Sequence, residues 1–226
     1  TFIYDKKLET LTANGNVEAL DLNRNLKIYT ENLIYQKNSE IITTNKNSKA
    51  NFEDGKFILA NSFKFDRNKN ILNALGQVQI EDTLKDYLIT GDQFTYYRNE
   101  EKIITKGSTE AFIKSKYEIT SKNVTYLVNE NELSSKNKTR IKDQNSQLYV
   151  VDKFNYLLKH EILKAEKILL VTNYNLPKSD KIFLESGIIN LKEREFIAKD
   201  TLIEIHKDIF NNSDNDPRLK GVSSKG

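Results

Sequence analysis

Cysteine is absent from the 226 residues, so the chain holds no internal disulfide and no thiolate-ligated metal. Methionine is absent too, even at the first position, where Thr1-Phe2-Ile3-Tyr4 already reads as strand. The chain is therefore expected to be an excerpt of a longer protein, or a mature domain freed of its targeting segment. Only two histidines occur, His160 and His206, and neither stands at ligand spacing from another histidine. Gly187 and Gly221 lack the serine motif of a nucleophile elbow. No apolar run reaches the ~18 residues of a membrane-spanning helix. Neither sign of charge dominates: Lys and Arg total 35 against 32 Asp and Glu, a net of +3. The lysines are scattered, as on a solvated face, and not clustered as a nucleic-acid footprint requires. These features give an enzymatic or cofactor-dependent role no support, and the chain is expected not to be an enzyme.

What the chain does have is a repeat. An aromatic recurs at Tyr35, Phe65, Tyr96, Tyr126 and Tyr156, in steps of 30, 31, 30 and 30 residues. Two residues before each stand Leu33, Phe63, Phe94, Val124 and Phe154. Five before stand Thr30, Ala60, Gly91, Ser121 and Val151, and seven before stand Ile28, Ile58, Ile89, Ile119 and Tyr149. A repeat of this length implies a stacked architecture, since one unit cannot bury its apolar face alone.

Within each pair of slots the spacing of two puts both side chains on one face of a strand. The step of three between the pairs would reverse the face, so a corner or bulge is predicted at Glu31-Asn32, Asn61-Ser62, Asp92-Gln93, Lys122-Asn123 and Asp152-Lys153. Polar hairpin loops follow the aromatics. The next strand carries Leu11, Ile41, Leu72, Ile103 and Leu133, then small residues, then Gly15, Asn45, Gly76, Gly107 and Asn137. Gly and Asn best tolerate positive φ, which predicts a bend there. Residues 156–170 can be drawn as a helix, but a strand fits the register better. The copies beginning at Leu163, Leu184 and Phe196 are more closely spaced, as capping repeats often are. Pro177 marks a loop, and the polar stretch from Asn211 to Gly226 reads as a linker. The expected fold is all-β, built of stacked units of about thirty residues.

The ladder is first of all a core. In an open β-stack, however, core and groove can be one surface, and splayed sheets would leave a long apolar trough suited to an acyl chain. The strand at Phe2, Ile3 and Tyr4 would be an exposed edge, open to strand addition by a partner.

The repeats Ala13-x-Gly15-x-Val17 and Ala74-x-Gly76-x-Val78, each leading into an aromatic strand, resemble the OstA-type domain of lipopolysaccharide transport proteins in Gram-negative envelopes. The C-terminal stretch Ile205-His206-Lys207-Asp208-Ile209-Phe210, followed by Asn215-Asp216-Pro217-Arg218-Leu219-Lys220-Gly221-Val222-Ser223-Ser224, is similar to a junction in the LPS-assembly family LptD. There the periplasmic domain hands over to an outer-membrane barrel. The resemblance implies an elongated β-jellyroll, or β-taco, over residues 1–210 and a linker over 211–226. It implies passage of lipid A acyl chains along Ile28, Leu33, Ile58, Phe63, Phe65, Ile89, Phe94, Tyr96, Ile119, Val124, Tyr126, Phe154 and Tyr156. It further implies edge pairing with the periplasmic bridge protein LptA and a plug lipoprotein, LptE, in the barrel. The cysteines that many members of the family carry in or before this domain are missing here. A soluble bridge like LptA, a ligand-free structural β-solenoid and a β-helical polysaccharide-processing enzyme are the alternatives.

Overall fold

The computed structural model describes residues 1–53, 55–84, 86–176, 178–210 and 217–226, without the side chains of residues 53, 208 and 210. Among them there is no α-helix, and only three single 3-10 turns interrupt the strands. The fold is all-β, as the sequence predicts. It divides into two compact units, Thr1–Lys114 and Ser115–Gly226, where the sequence suggested one domain to residue 210.

Unit 1 contains β1 (Phe2–Asp5), β2 (Thr10–Asp21), β3 (Leu26–Gln36), β4 (Ile41–Asn45), β5 (Ser48–Glu53), β6 (Lys56–Ala60), β7 (Ser62–Asp66), β8 (Ile71–Asp82), β9 (Tyr87–Tyr97) and β10 (Lys102–Ile113). Antiparallel pairing builds two half-sheets. Half-sheet A follows the order β1-β2-β3-β4-β7-β8-β9-β10. Half-sheet B follows β2-β3-β5-β6-β8-β9-β10. The long strands β2, β3, β8, β9 and β10 belong to both.

The bend between the half-sheets is written in the glycine slot. Register breaks between Asn14 and Val17, Leu75 and Val78, and Lys106 and Thr109. In those gaps Gly15, Gly76 and Gly107 have φ of 81, 75 and 84°, a region that side chains with a Cβ resist. Asn45 and Asn137 do not take this conformation. At Asn45 the chain breaks into separate strands, and Lys46 and Asn47 turn left-handed instead, at φ 65 and 44°. A Cβ on Gly107 would have open space, whereas one on Gly76 would lie 2.6 Å from Asn61 Nδ2. Gly107→Ala should therefore cost the left-handed strain alone, about 1–2 kcal/mol. Gly76→Ala should cost more, because Asn61, whose backbone N–H donates to Gly76 O at 2.9 Å, must also move. Paired urea melts would measure the difference.

The step of three predicted from the repeat now has its explanation. Ile28 and Thr30 face inward from half-sheet B, and Leu33 faces inward from half-sheet A on the other side of the corner. The same phase buries Ile58 along with Phe63 and Phe65, and Ile89 along with Phe94 and Tyr96. The facing half-sheets touch directly where the Phe52 and Tyr96 rings meet edge to face, centroids 5.0 Å apart.

Unit 2 contains β11 (Tyr117–Lys122), β12 (Thr125–Leu127), β13 (Glu132–Ser135), β14 (Thr139–Asp143), β15 (Leu148–Val151), β16 (Lys153–Leu157), β17 (Ile162–Val171), β18 (Lys181–Asn190), β19 (Glu195–Glu204) and β20 (Arg218–Lys225). Half-sheet C runs β12-β13-β16-β17-β18-β19-β20 and half-sheet D runs β11-β14-β15-β17-β18-β19-β20. Residues 156–170 hold the end of β16, a turn over 158–161 and most of β17, and no helix. The late copies are closely spaced because they fall on the consecutive strands β17, β18 and β19, whereas the earlier copies fall on alternate passes of the chain, at β3, β6–β7, β9, β11–β12 and β15–β16.

The C-terminal stretch departs from its expectation as a linker. Residues 211–216 and Pro177 lie outside the described residues, but Arg218–Lys225 form β20, paired along β19 from Ile197↔Lys225 to Glu204↔Arg218. Polar side chains misled here: pairing satisfies the backbone N–H and C=O groups of β19 without requiring apolar residues in the new strand.

Candidate functional site

The thirteen ladder residues are all buried, none more than 5 % exposed. They pack the interiors of their units; Ile28, Leu33 and Phe65 also border an inner cavity, and Phe154 borders an outer trench. That cavity, of about 200 Å³, lies between half-sheets A and B at the N-terminal end of unit 1. Leu11, Leu33, Tyr35, Ile42 and Phe65 line it from one side, and Ala19, Leu20, Leu26 and Ile28 from the other. Asp21 and Arg67 complete the wall.

The repeat explains why the interior opens here. Leu11, Ala19, Tyr35 and Ile42 are partly exposed, while the residues 61 positions later, Leu72, Ile80, Tyr96 and Ile103, are buried. Among the described residues half-sheet A ends at β1 and half-sheet B ends at β2, and the first copy packs on no earlier one. Ala19 also stands where Ile80 stands later, which removes bulk from the wall. The inward residue of β4 is Ile42, in register with Tyr35 and Phe65, rather than the Ile41 predicted from spacing. The sequence Ile41-Ile42-Thr43-Thr44 supports either phase, and only the pairing decides. Thr44 is accordingly buried and hydrogen-bonded to Ser48 at 2.6 Å.

A polar network bounds the cavity where the free ends of the half-sheets meet. Asp21 Oδ2 accepts from Arg67 Nε at 2.9 Å and from Arg24 Nη1 at 3.3 Å. Arg24 Nε donates to Arg67 O at 3.0 Å. Arg67 also pairs with Glu40, and its Nη1 donates to Tyr35 Oη at 3.2 Å. Arg98 Nη2 donates to Arg24 O at 2.6 Å and Asn25 O at 3.3 Å. Burial alone would raise the Asp21 pKa, but the Arg67 hydrogen bond and charge, helped by Arg24, outweigh it and hold the carboxyl below its ordinary range. Such a group stabilises the fold above its unfolded pKa of 3.8, and that contribution disappears as pH falls through the lower folded value. Between pH 6 and the acid limit, wild-type urea midpoints should therefore fall further than those of Asp21→Asn, which lacks this titration.

Burial shapes unit 2 differently. Tyr117 Oη donates to Glu161 Oε2 at 3.3 Å and its ring lies 6.3 Å from that of Tyr156. Desolvation pushes the Tyr117 phenol up to about 12, and the Tyr156 phenol higher still. The Tyr156 hydroxyl is buried without a hydrogen-bond partner. Tyr156→Phe should leave stability unchanged or raise it by up to about 1 kcal/mol, since an unsatisfied buried hydroxyl is removed at constant shape. A loss beyond that on chemical denaturation would contradict this reading.

A wider trench of about 530 Å³ crosses the outer side of half-sheet C, between Lys153, Glu166, Ser186 and Lys199 on one wall and Asn155, Lys164, Ile188 and Ile197 on the other. It is larger than the inner cavity, but half of its lining side chains are exposed, whereas the inner cavity is backed by the buried Leu26, Ile28, Leu33 and Phe65 and is therefore the better apolar ligand site. Phe2, Ile3 and Tyr4, the expected partner edge, are 74, 59 and 51 % exposed on β1, whose inward neighbour is β2. His206 is a structural clip: its Nδ1 lies 2.8 Å from Asp180 Oδ1, which also accepts from the His206 backbone N–H at 2.9 Å. Among the described residues no three metal-ligating side chains cluster. Scanned against known protein families, the chain matches no family model, and no curated protein matches it.

Proposed function

We propose that the chain is a passive lipid carrier that shelters the acyl chains of lipopolysaccharide between paired β faces and passes them toward an outer-membrane barrel. The observation that carries this reading is the apolar cavity between half-sheets A and B, whose walls continue the inward ladder of the repeat. An enclosed apolar site of about 150 Å³ already admits a small hydrocarbon, and this mostly apolar cavity of about 200 Å³, open at one end and bounded by Asp21 and Arg67, has room for part of an acyl chain. The periplasm of a Gram-negative cell, in an outer-membrane assembly protein of the LptD kind, is the corresponding location. LptA would pair with the β1 edge at Phe2, Ile3 and Tyr4, and LptE would sit in the barrel. Energy for transport would come from elsewhere. A soluble bridge like LptA would use the same cavity.

A second reading, a structural β-stack without ligand, is favoured by the close burial of the thirteen ladder residues. Photocrosslinking in cells making the full-length protein separates the two. A benzophenone side chain would replace Leu11, Ile42, Phe94 or the outward-facing Lys64. Carriage predicts lipopolysaccharide adducts at Leu11 and Ile42 and none at Lys64. Adducts at Phe94 as well would mean that the packed interior opens during transport. No adduct at Leu11 or Ile42 in folded protein supports the structural stack.

A further inference from the structure

The two half-sheets of unit 1 are joined in two chemically different ways. Around Phe63, Phe65, Phe94 and Tyr96 the join is apolar and buried. At their free ends beside the cavity the join is polar. Arg67, immediately after β7 in half-sheet A, reaches Asp21 at the end of β2 in half-sheet B. Arg24, in the turn after β2, reaches back to the Arg67 carbonyl. Arg98, just after β9, holds the Arg24 and Asn25 carbonyls of that same turn. Water can replace each of these partners, so the polar join opens more readily than an apolar one. Beside it stand two exposed leucines, one on either side of Asp21: Leu20, 58 % exposed, which also borders the cavity rim, and Leu22, 79 % exposed. Just inside it are Leu26 and Ile28, both buried and both lining the cavity.

We propose that the Asp21–Arg67–Arg24 network, braced by Arg98, is a latch on a side entrance to the cavity, and that its opening admits an acyl chain laterally past Leu20 and Leu22. The role of acyl chains as the cargo rests on the carrier reading above; the latch itself does not. In the closed state the network seals the seam, and Arg67 exchanges Asp21 for water when the seam parts, while keeping Glu40 beside it in half-sheet A. The chain then crosses from the exposed leucines to Leu26 and Ile28 without a polar barrier in its path.

The absence of native cysteine provides a clean test on the whole 226-residue chain. A single thiol is installed by Leu26→Cys, behind the latch, or by Ile42→Cys, at the open end. Its reaction with an aromatic disulfide is timed with and without Asp21→Asn. Cutting the latch should speed reaction at position 26 at least tenfold and leave position 42 within twofold. Lys27→Gln, which breaks the outward Lys27–Glu18 pair on the same strands, should change neither. Arg67→Lys keeps the charge but loses the planar fork, and serves as the second cut if Asp21→Asn fails to fold by circular dichroism. Equal rates at position 26 with the latch intact and cut, in folded protein, overturn the proposal. In parallel, uptake of a fluorescent fatty acid is followed by stopped flow. Faster labelling with no uptake by any form keeps the latch and removes acyl chains as its cargo. Uptake with unchanged labelling keeps the carrier and removes the latch.

Discussion

Phe94→Ala should destabilise the protein by about 3–5 kcal/mol, the range for deleting a fully buried aromatic whose site cannot collapse. Phe94 is 1 % exposed and sits on β9 between two small cross-strand neighbours, Ala74 and Thr105. Neither can extend into the space the ring leaves. Its ring also fills the position above Gly91, where a Cβ would come within 2.7 Å of Phe94 Cε1. The glycine at that slot and the aromatic three residues on are therefore complementary in volume. Urea denaturation should show a lower midpoint at unchanged slope. A loss under about 1.5 kcal/mol, the range of a volume-conserving swap, would mean that the interior is loosely packed.

Arg98→Ala is expected to cost about 2–4 kcal/mol, for a different reason: it strands polar groups instead of emptying a core. Arg98 is a charged residue only 8 % exposed. Its Nη2 satisfies two backbone carbonyls of the turn after β2, and its Nη1 donates to Asn70 Oδ1 at 3.1 Å. Its guanidinium lies 6.0 Å from the Phe65 ring centroid and 5.9 Å from that of Tyr96. Burial depresses its pKa, and Nε is buried without an acceptor, so the residue also carries a desolvation cost that alanine removes. That cost keeps the expected loss below the sum of its contacts. Arg98→Lys should recover little, because one ammonium cannot span both carbonyls and Asn70. Full recovery by lysine would show that charge, not the fork, holds the turn.

The sequence reveals the inward ladder because the geometry is local. A spacing of two keeps two side chains on one face, and a spacing of three carries the face around a corner, so Ile28, Leu33 and their equivalents could be placed without knowing the pairing. The glycine bends were legible for the same reason at Gly15, Gly76 and Gly107. The cavity was not, because it depends on the pairing that sets β1 and β2 at the edge of the described half-sheets and on the small side chain of Ala19. The latch is not legible either, since Asp21, Arg24, Arg67 and Arg98 come from separate strand ends and turns. A signal was available, however. The residue two after each of the first three aromatics is a cation, Lys37, Arg67 or Arg98, whereas the next two copies carry Val128 and Leu158. A slot that changes from basic to apolar along the stack marks where the free ends of the half-sheets are joined by charge. Arg218–Lys225 look like linker in sequence because strand pairing is a backbone property that composition does not report.

The most direct test of the carrier reading is a titration of the purified chain with a fluorescent fatty acid, followed by displacement with lipid A or with its fully deacylated sugar. Ala19→Trp, which fills the cavity from the partly exposed wall of β2, is the comparison. The account predicts saturable binding, displacement by lipid A but not by the deacylated sugar, and at least tenfold weaker binding by folded Ala19→Trp. Binding that Ala19→Trp leaves intact, or no saturable binding by the wild-type chain, would contradict it.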